Sequence, residues 1–199
     1  MSAIEIAATL LGLINVWLIV RRNIWNYPFG LAMVVLYGKI FFDAKLYSDA
    51  LLQGYYVAIQ LYGWWFWLRG RADDGRIIVV LMDGRARLSA IGIVAGGAAL
   101  LGWLMASQTD ASLPYWDATT TVMSVVAQFL LSRRRLECWL LWITVDVLSI
   151  GIYAYKELYL TAGLYTVFLG LASWGLVAWH RAWRQAGRPG APDPAGAPA

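Results

Sequence analysis

The chain has 199 residues, of which 60% are hydrophobic and only 14% are charged, and its net charge is +4. A water-soluble domain of this length needs more polar surface than this composition supplies, so the sequence predicts an integral membrane protein. The pattern does not show the short alternating segments of a membrane β-barrel. The arginines lie between apolar runs, where membrane topology explains them and nucleic-acid binding is not needed.

Seven apolar runs follow one another, each close to the about 20 residues that a membrane-spanning helix needs. They cover residues 3–20, 24–42, 49–68, 88–106, 115–132, 137–155 and 160–179. The first run has no basic region before it, so we expect no cleavable signal peptide. Arginines follow the first, third, fifth and seventh runs, and the other connections are poor in basic residues. The positive-inside rule therefore predicts an outer N-terminus and a cytoplasmic C-terminus.

An internal repeat organises these runs. When the chain is shifted along itself so that Arg21 and Arg22 meet Arg133 and Arg134, the first three runs align with the last three without a gap. This repeat register also places Val35 and Leu36 on Val147 and Leu148, and Gly63 on Gly175, at an identity of about one position in five. The odd fourth run allows both halves the same orientation, so the sequence predicts a parallel 3+1+3 repeat, which is a transporter architecture.

The repeat also predicts the organisation of the chain. Residues 1–68 should form the first three-helix bundle, and residues 69–114 a cytoplasmic loop followed by a linker helix. Residues 115–180 should form the second bundle. The Pro-, Gly- and Ala-rich residues 181–199 should be a disordered cytoplasmic tail.

The sixth run carries polar and aromatic residues at helical spacing. Trp139, Trp142, Asp146, Ser149 and Tyr153 are three or four residues apart and share one helix face. A central Asp costs about 2.5–3.5 kcal/mol on membrane insertion, so we expect it to face a polar cavity. A bound cation would satisfy it, with cation–π attraction from the rings. The alternative is a protonated Asp146 that hydrogen-bonds to a neighbouring helix.

The third run carries a second stripe, which includes Gln53, Tyr56 and Gln60. Its amides offer donors and acceptors to a polar ligand, or hydrogen bonds between helices. For the other membrane amides and phenols we expect packing roles: Asn15, Asn26, Tyr37 and Gln128.

Glu5 and Asp117 open the first helix of each half, where a carboxylate complements the helix N-terminus. A gate or a structural link between bundles is the alternative for both. Tryptophans near the ends of the third and seventh runs are typical of an interfacial belt: Trp64, Trp65, Trp67, Trp174 and Trp179. His180 is the one histidine, and we expect neither a metal site nor a cofactor.

These segments resemble the Pnu-type vitamin transporters, in particular the nicotinamide riboside transporter family PnuC. The resemblance rests on "FGLAMVVLYGKIFFDAKLYSDALLQGYY", "YGWWFW", "PYWDATTTVMSVVAQFL" and "WLLWITVD". The last of these fits the family's W-x-x-W-x-x-x-N/D pattern at Trp139, Trp142 and Asp146, with Asp in place of Asn. The resemblance covers nearly the whole chain except the tail.

The resemblance implies a fold of seven helices like that of SWEET sugar transporters, in the bacterial inner membrane. It implies facilitated diffusion of nicotinamide riboside, a pyridinium cation, with trapping by a cytoplasmic kinase and a role in NAD biosynthesis. Thiamine is an alternative substrate, and proton coupling through Asp146 is an alternative mechanism.

The sequence fits other classes of protein less well. A substrate-binding subunit of an ATP-driven importer would need a partner to transport. A retinal-binding receptor needs a lysine that residues 160–179 lack. The chain has no HExxH, GxSxG or Walker motif, so we do not expect an enzyme. The sequence leaves a homo-oligomer open.

Overall fold

The computed structural model describes residues 3–43, 45, 47–69, 77–109 and 112–186. Within those residues the chain forms seven α-helices. They are α1 (Ala3–Val20), α2 (Asn26–Asp43), α3 (Tyr47–Arg69), α4 (Gly84–Gln108), α5 (Pro114–Ser132), α6 (Cys138–Tyr155) and α7 (Tyr159–Ala186). The described part of the chain contains no β-strand, and the seven predicted helices are confirmed.

Two helices extend beyond the apolar runs that predicted them. α4 begins at Gly84 because Asp83 caps it, with its side chain accepting a hydrogen bond of 2.7 Å from the Ala86 backbone N–H. α7 continues to Ala186, past the predicted end of its membrane run at 179. Residues 181–186, predicted as disordered tail, are therefore helical, because a polar turn can continue a helix beyond its apolar part. Residues 187–199 lie outside the described residues.

The chain divides into two compact units. The first contains α1 to α3, residues 132–134 and the last turns of α7 from Val177 onward. In this unit α2 packs against both α1 and α3. The second unit contains α4, α5 up to Leu131, α6, and α7 up to Leu176.

The surface of both units is more apolar than that of a soluble protein. Large apolar side chains are exposed, such as Leu51 (77%), Leu88 (71%) and Leu160 (74%). Within the largely apolar interior, six polar side chains are buried: Asn15, Asn26, Gln60, Ser132, Asp146 and Ser149. Among the described residues, α4, α6 and α7 are long and apolar enough to cross a membrane, and Ile4–Val20 is a shorter apolar helix. An apolar outside around polar interior groups is expected where lipid is the solvent.

Equivalent helix ends in the two halves have the same backbone conformation. Arg22 and Arg134, which the repeat register aligns, have φ of 54° and 58°, and Lys45 and Glu157 have φ of 60° and 59°. After Arg22, the N–H of Asn23 reaches back to the Leu18 carbonyl. The Arg135 N–H reaches back to the Leu130 carbonyl in the same way. The alignment of the two halves that was derived from the sequence therefore also aligns turns of the same backbone conformation.

Equivalent glycines make equivalent helix contacts. A Cβ placed on Gly63 would lie 2.6 Å from the hydroxyl of Tyr27, which packs from α2 onto α3. A Cβ on Gly175 would lie 2.6 Å from the ring of Trp139, which packs from α6 onto α7. Tyr27 and Trp139 are themselves aligned by the repeat register. The second and third helices of each half therefore meet at a glycine opposite a large ring.

Aromatic rings fill the interior of the first unit. Tyr27 meets Trp67 edge to face at a centroid distance of 5.3 Å, and Trp67 lies 6.0 Å from Trp179. Both tryptophans are fully buried, and the indole N–H of Trp179 donates to the Ile19 carbonyl at 3.1 Å. The expected place of Trp67 and Trp179 in an interfacial belt is therefore wrong, because their rings pack on each other.

The residues before α4 are packed rather than free. The side chains of Ile77, Val79 and Met82 are buried. In the first unit, Arg22 donates to the Ile77 carbonyl at 3.3 Å. In the second unit, the Met82 N–H donates to the Glu137 carboxylate at 3.0 Å, and Arg87 forms an ion pair of 2.8 Å with the same group. This loop was predicted only as a cytoplasmic connection.

The glycine contacts predict matched stability losses. Gly63→Ala and Gly175→Ala should each destabilise the protein by about 1–3 kcal/mol, because the added methyl meets a packed ring. Gly54→Ala and Gly170→Ala, where a Cβ meets nothing within 4 Å, should be neutral or slightly stabilising. Unfolding of the purified variants in mixed detergent micelles measures all four. Equal stability of the four variants would contradict the packing described.

Candidate functional site

The α6 stripe predicted from the sequence forms the buried face of that helix. Trp139 is 2% exposed, and Asp146 and Ser149 are each 4% exposed. Trp142 and Tyr153 are half-buried on the same side. The opposite side of α6 carries Leu140 and Val147, each 52% exposed. The helix therefore presents an apolar side outward and turns its carboxylate and indoles inward.

α7 holds part of this face in place within the second unit. Trp139 packs against Gly175, and the Tyr153 ring lies 5.2 Å from the ring of Tyr165. These contacts are separated by several turns of α6, so they fix the rotation of the helix about its axis. Asp146 lies between them along the helix, and its inward direction follows from that rotation.

The surroundings of Asp146 are unusual for a carboxylate. Its side chain is buried, and no ion pair found among the described residues includes it. Burying a carboxylate away from water costs free energy when no cation lies beside it. Such a group therefore binds a cation or remains protonated. The arrangement suits a cationic guest beside aromatic rings.

The α3 residues lie mainly against α2 in the first unit. Gln60 is 4% exposed, and Gln53 and Tyr56 are half-buried. A Cβ on Gly30 would lie 2.1 Å from Gln60 Oε1, and a Cβ on Gly38 would lie 3.5 Å from Gln53 Cβ. Both glutamines therefore meet a glycine of α2. It remains a prediction that these α3 residues and the α6 residues line one substrate site.

Asn15 was expected only to help pack helices, yet it lies beside a candidate site residue. Its Oδ1 would be 3.1 Å from a Cβ on Gly30, close to the oxygen of Gln60. Asn15 is 9% exposed, and its Oδ1 is buried with no hydrogen-bond partner in the described part of the chain. The sequence shows an amide on the first and on the third predicted helix and a glycine on the second, but only the fold shows that both amides approach that glycine, Gly30.

The two carboxylates at the helix starts have different surroundings. Glu5 lies in the first turn of α1, and Asp117 in the first turn of α5, as the sequence predicted. The Lys156 ammonium forms an ion pair of 3.2 Å with Asp117, with both side chains about 30% exposed. Lys156 ends α6. Asp117 thus links α5 to the end of α6 within the second unit, whereas its role as a gate remains a prediction.

Comparisons with known proteins agree with the architecture. A sequence model of the family described as "Nicotinamide mononucleotide transporter" matches residues 2–181. The nicotinamide riboside transporter PnuC of Escherichia coli (strain K12) is 29% identical over 212 aligned residues, covering 94% of this chain and 89% of that protein. The riboflavin/roseoflavin transporter RibM of Streptomyces davaonensis is 30% identical, covering 98% of this chain and 91% of that protein.

A solved structure shares the fold. The crystal structure of the vitamin B3 transporter PnuC aligns with a TM-score of 0.74 and 26% sequence identity. The alignment covers 90% of this chain and 81% of that chain. The likeness therefore extends over the helices of both units.

Proposed function

This chain belongs to the nicotinamide mononucleotide transporter family, whose matched relatives are membrane transporters and not enzymes, and we propose that it carries nicotinamide riboside across the bacterial inner membrane. Transport occurs by facilitated diffusion. The N-terminus lies outside and the C-terminus in the cytoplasm, because the arginine-rich connections then face inward. Support for the substrate comes from the chemistry of α6.

The observation that carries the proposal is the buried carboxylate of Asp146 on a face with Trp139 and Trp142. Nicotinamide riboside has a flat pyridinium ring with one positive charge. A carboxylate offsets that charge, and indole faces attract the ring by about 0.5–2 kcal/mol each. Ser149, one turn further along the same face, offers a hydroxyl to the polar groups of the substrate.

The same carboxylate disfavours the phosphorylated product. A 5′-phosphate adds negative charge, and two negative groups in a water-poor site repel each other strongly. Phosphorylation by a cytoplasmic kinase therefore traps the vitamin inside, and net uptake follows without a coupled ion. The riboside is for this reason a better candidate than the mononucleotide named in the family description.

Riboflavin is a second candidate, because a riboflavin transporter is similar over nearly the whole chain. Its ring system is uncharged, so Asp146 would gain no counter-charge from it. Thiamine is a cation and would gain one. Binding measured against all three vitamins distinguishes these substrates, and we expect nicotinamide riboside to bind tightest.

Replacing the carboxylate should separate binding from stability. Asp146→Ala should weaken nicotinamide riboside binding by at least about tenfold, or 1.4 kcal/mol, because the counter-charge is lost. Its stability should stay equal or rise, because an uncompensated buried polar group is removed. Calorimetry in nanodiscs and thermal unfolding measure the two. Val147→Ala, on the exposed side of α6, is the matched control and should bind normally. Unchanged binding by Asp146→Ala would contradict the proposed role of Asp146.

Liposomes that contain this protein alone test the mechanism. Labelled nicotinamide riboside should equilibrate at zero membrane potential, with or without sodium or proton gradients, because no ion is coupled. An inside-negative potential of 100 mV should favour entry by about 2.3 kcal/mol per charge, since the substrate is a cation. Accumulation driven by a proton gradient at clamped zero potential would rule out facilitated diffusion and make Asp146 a coupling residue.

A further inference from the structure

We propose that three aromatic rings and two arginines at one end of α3 form a binding site for the headgroup of an anionic phospholipid. The rings belong to Tyr62, Trp65 and Phe66, and the guanidinium groups to Arg69 and Arg133. All of these residues belong to the first unit. The site shares no residue with the α6 face, and it does not depend on which vitamin is transported.

The three rings form a continuous surface on α3. The Tyr62 ring lies between the other two, with its centroid 6.1 Å from that of Trp65 and 6.0 Å from that of Phe66. Their spacing of three and four residues places them on one face of the helix. Trp65 is 48% exposed, and the other two side chains are half-buried. We call these three rings the aromatic surface of α3.

Two guanidinium groups lie on the aromatic surface of α3. The Arg69 Cζ is 4.3 Å from the centroid of the Trp65 ring, one turn earlier on the same helix. The Arg133 Cζ, in the turn after α5, is 5.6 Å from the Tyr62 centroid and 5.2 Å from the Phe66 centroid. These distances lie within the range of about 6 Å over which cation–π attraction acts. A guanidinium that contacts a ring through its flat face can still present N–H donors along its edge to oxygen acceptors.

The charge at this end of α3 suits an anionic headgroup. Residues 59–69 include no Asp or Glu, and both Arg69 and Arg133 are exposed. A lipid phosphodiester carries one negative charge, and arginine binds phosphate oxygens with parallel N–H donors. A choline or ethanolamine headgroup adds a positive charge that the arginines repel. The site therefore favours a lipid with a net negative charge.

The rest of the same helix face indicates that the ligand is a lipid rather than a soluble anion. Ala58 and Leu51 precede Tyr62 by four and eleven residues, so they continue its face along α3. Leu51 is 77% exposed, and Ala58 is also exposed. A Cβ on Gly54, beside them, would meet nothing within 4 Å. This exposed apolar face suits acyl chains, and the arginines at its end suit a headgroup at the membrane surface.

The second half of the repeat lacks the aromatic surface. The repeat register aligns Arg69 with Arg181, which is also exposed and lies near the end of α7. The last two rings of the aromatic surface, however, align with Val177 and Ala178. The rings are therefore not part of the packing that the two halves share. Arg181 thus offers a control that has the same charge but no such rings beside it.

Native mass spectrometry of the full chain in detergent micelles tests this site. Phosphatidylglycerol and phosphatidylcholine with the same acyl chains are titrated separately, and soluble glycerol phosphate is added as a competitor. The protein arms are the wild type, Arg69→Gln, Arg133→Gln and Trp65→Leu. Arg181→Gln is the matched control, because it removes the same charge away from the aromatic surface. Arg133→Lys, which keeps the charge but lacks the flat guanidinium, replaces Arg133→Gln if that variant does not fold.

The expected result is a preference for the anionic lipid that depends on these residues. The wild type should bind phosphatidylglycerol about tenfold tighter than phosphatidylcholine. Loss of Arg69 or of the Arg133 guanidinium should weaken phosphatidylglycerol binding about fivefold, the contribution of one basic residue near anionic headgroups. Trp65→Leu should weaken it about twofold, because the charge of Arg69 remains but its cation–π contact is lost. Arg181→Gln should bind like the wild type.

Three outcomes would overturn the proposal. Equal affinity of the wild type for the two lipids would show that the headgroup charge is not recognised. Equal weakening by Arg181→Gln and Arg69→Gln would show that net charge alone attracts the lipid. Displacement of the lipid by glycerol phosphate would show that the site binds a soluble phosphate and does not use the apolar face.

Discussion

The burial of the Asp146 carboxylate in an apolar helix bundle is the constraint on which the rest of the site depends. The outer side of α6 must be apolar because lipid surrounds it, and a charge there would cost several kcal/mol. The carboxylate must therefore point inward, and the packing of Trp139 on Gly175 holds the helix in that rotation. Once inside, the negative charge needs a partner, and in the proposed function the cationic vitamin supplies it. A permanent cation of the protein beside Asp146 would occupy the place that the proposed substrate needs.

The repeat provides two bundles of the same design with different interiors. Both halves share their turns and their glycine-to-ring contacts, which set how the helices pack. The first half then places amides beside Gly30, whereas the second places Trp142 and Asp146 on its middle helix. The two halves thus keep these turns and contacts in common while their polar residues differ.

Much of this architecture could be predicted because the membrane imposes simple rules. Apolar runs gave the helices, and the gapless shift aligned turns that share left-handed residues such as Arg22 and Arg134. The spacing on α6 gave its inward face, because lipid forces a polar residue to the inside. The interiors were harder to predict, since apolar residues suit both lipid and core. Trp67 was therefore expected at the interface but is fully buried. The approach of Asn15 and Gln60 to the same glycine, Gly30, depends on how three helices cross, which periodicity does not specify.

The most direct test of the central claim compares two ligands that differ in charge. Nicotinamide riboside and its reduced dihydro form carry the same carboxamide and ribose, but only the first has a positive ring. The wild type should bind the cation at least about tenfold tighter. Asp146→Asn, which keeps the size and removes the charge, should bring the two affinities close together. Equal binding of both ligands by the wild type would contradict the account, because the buried carboxylate would then not be acting as the counter-charge.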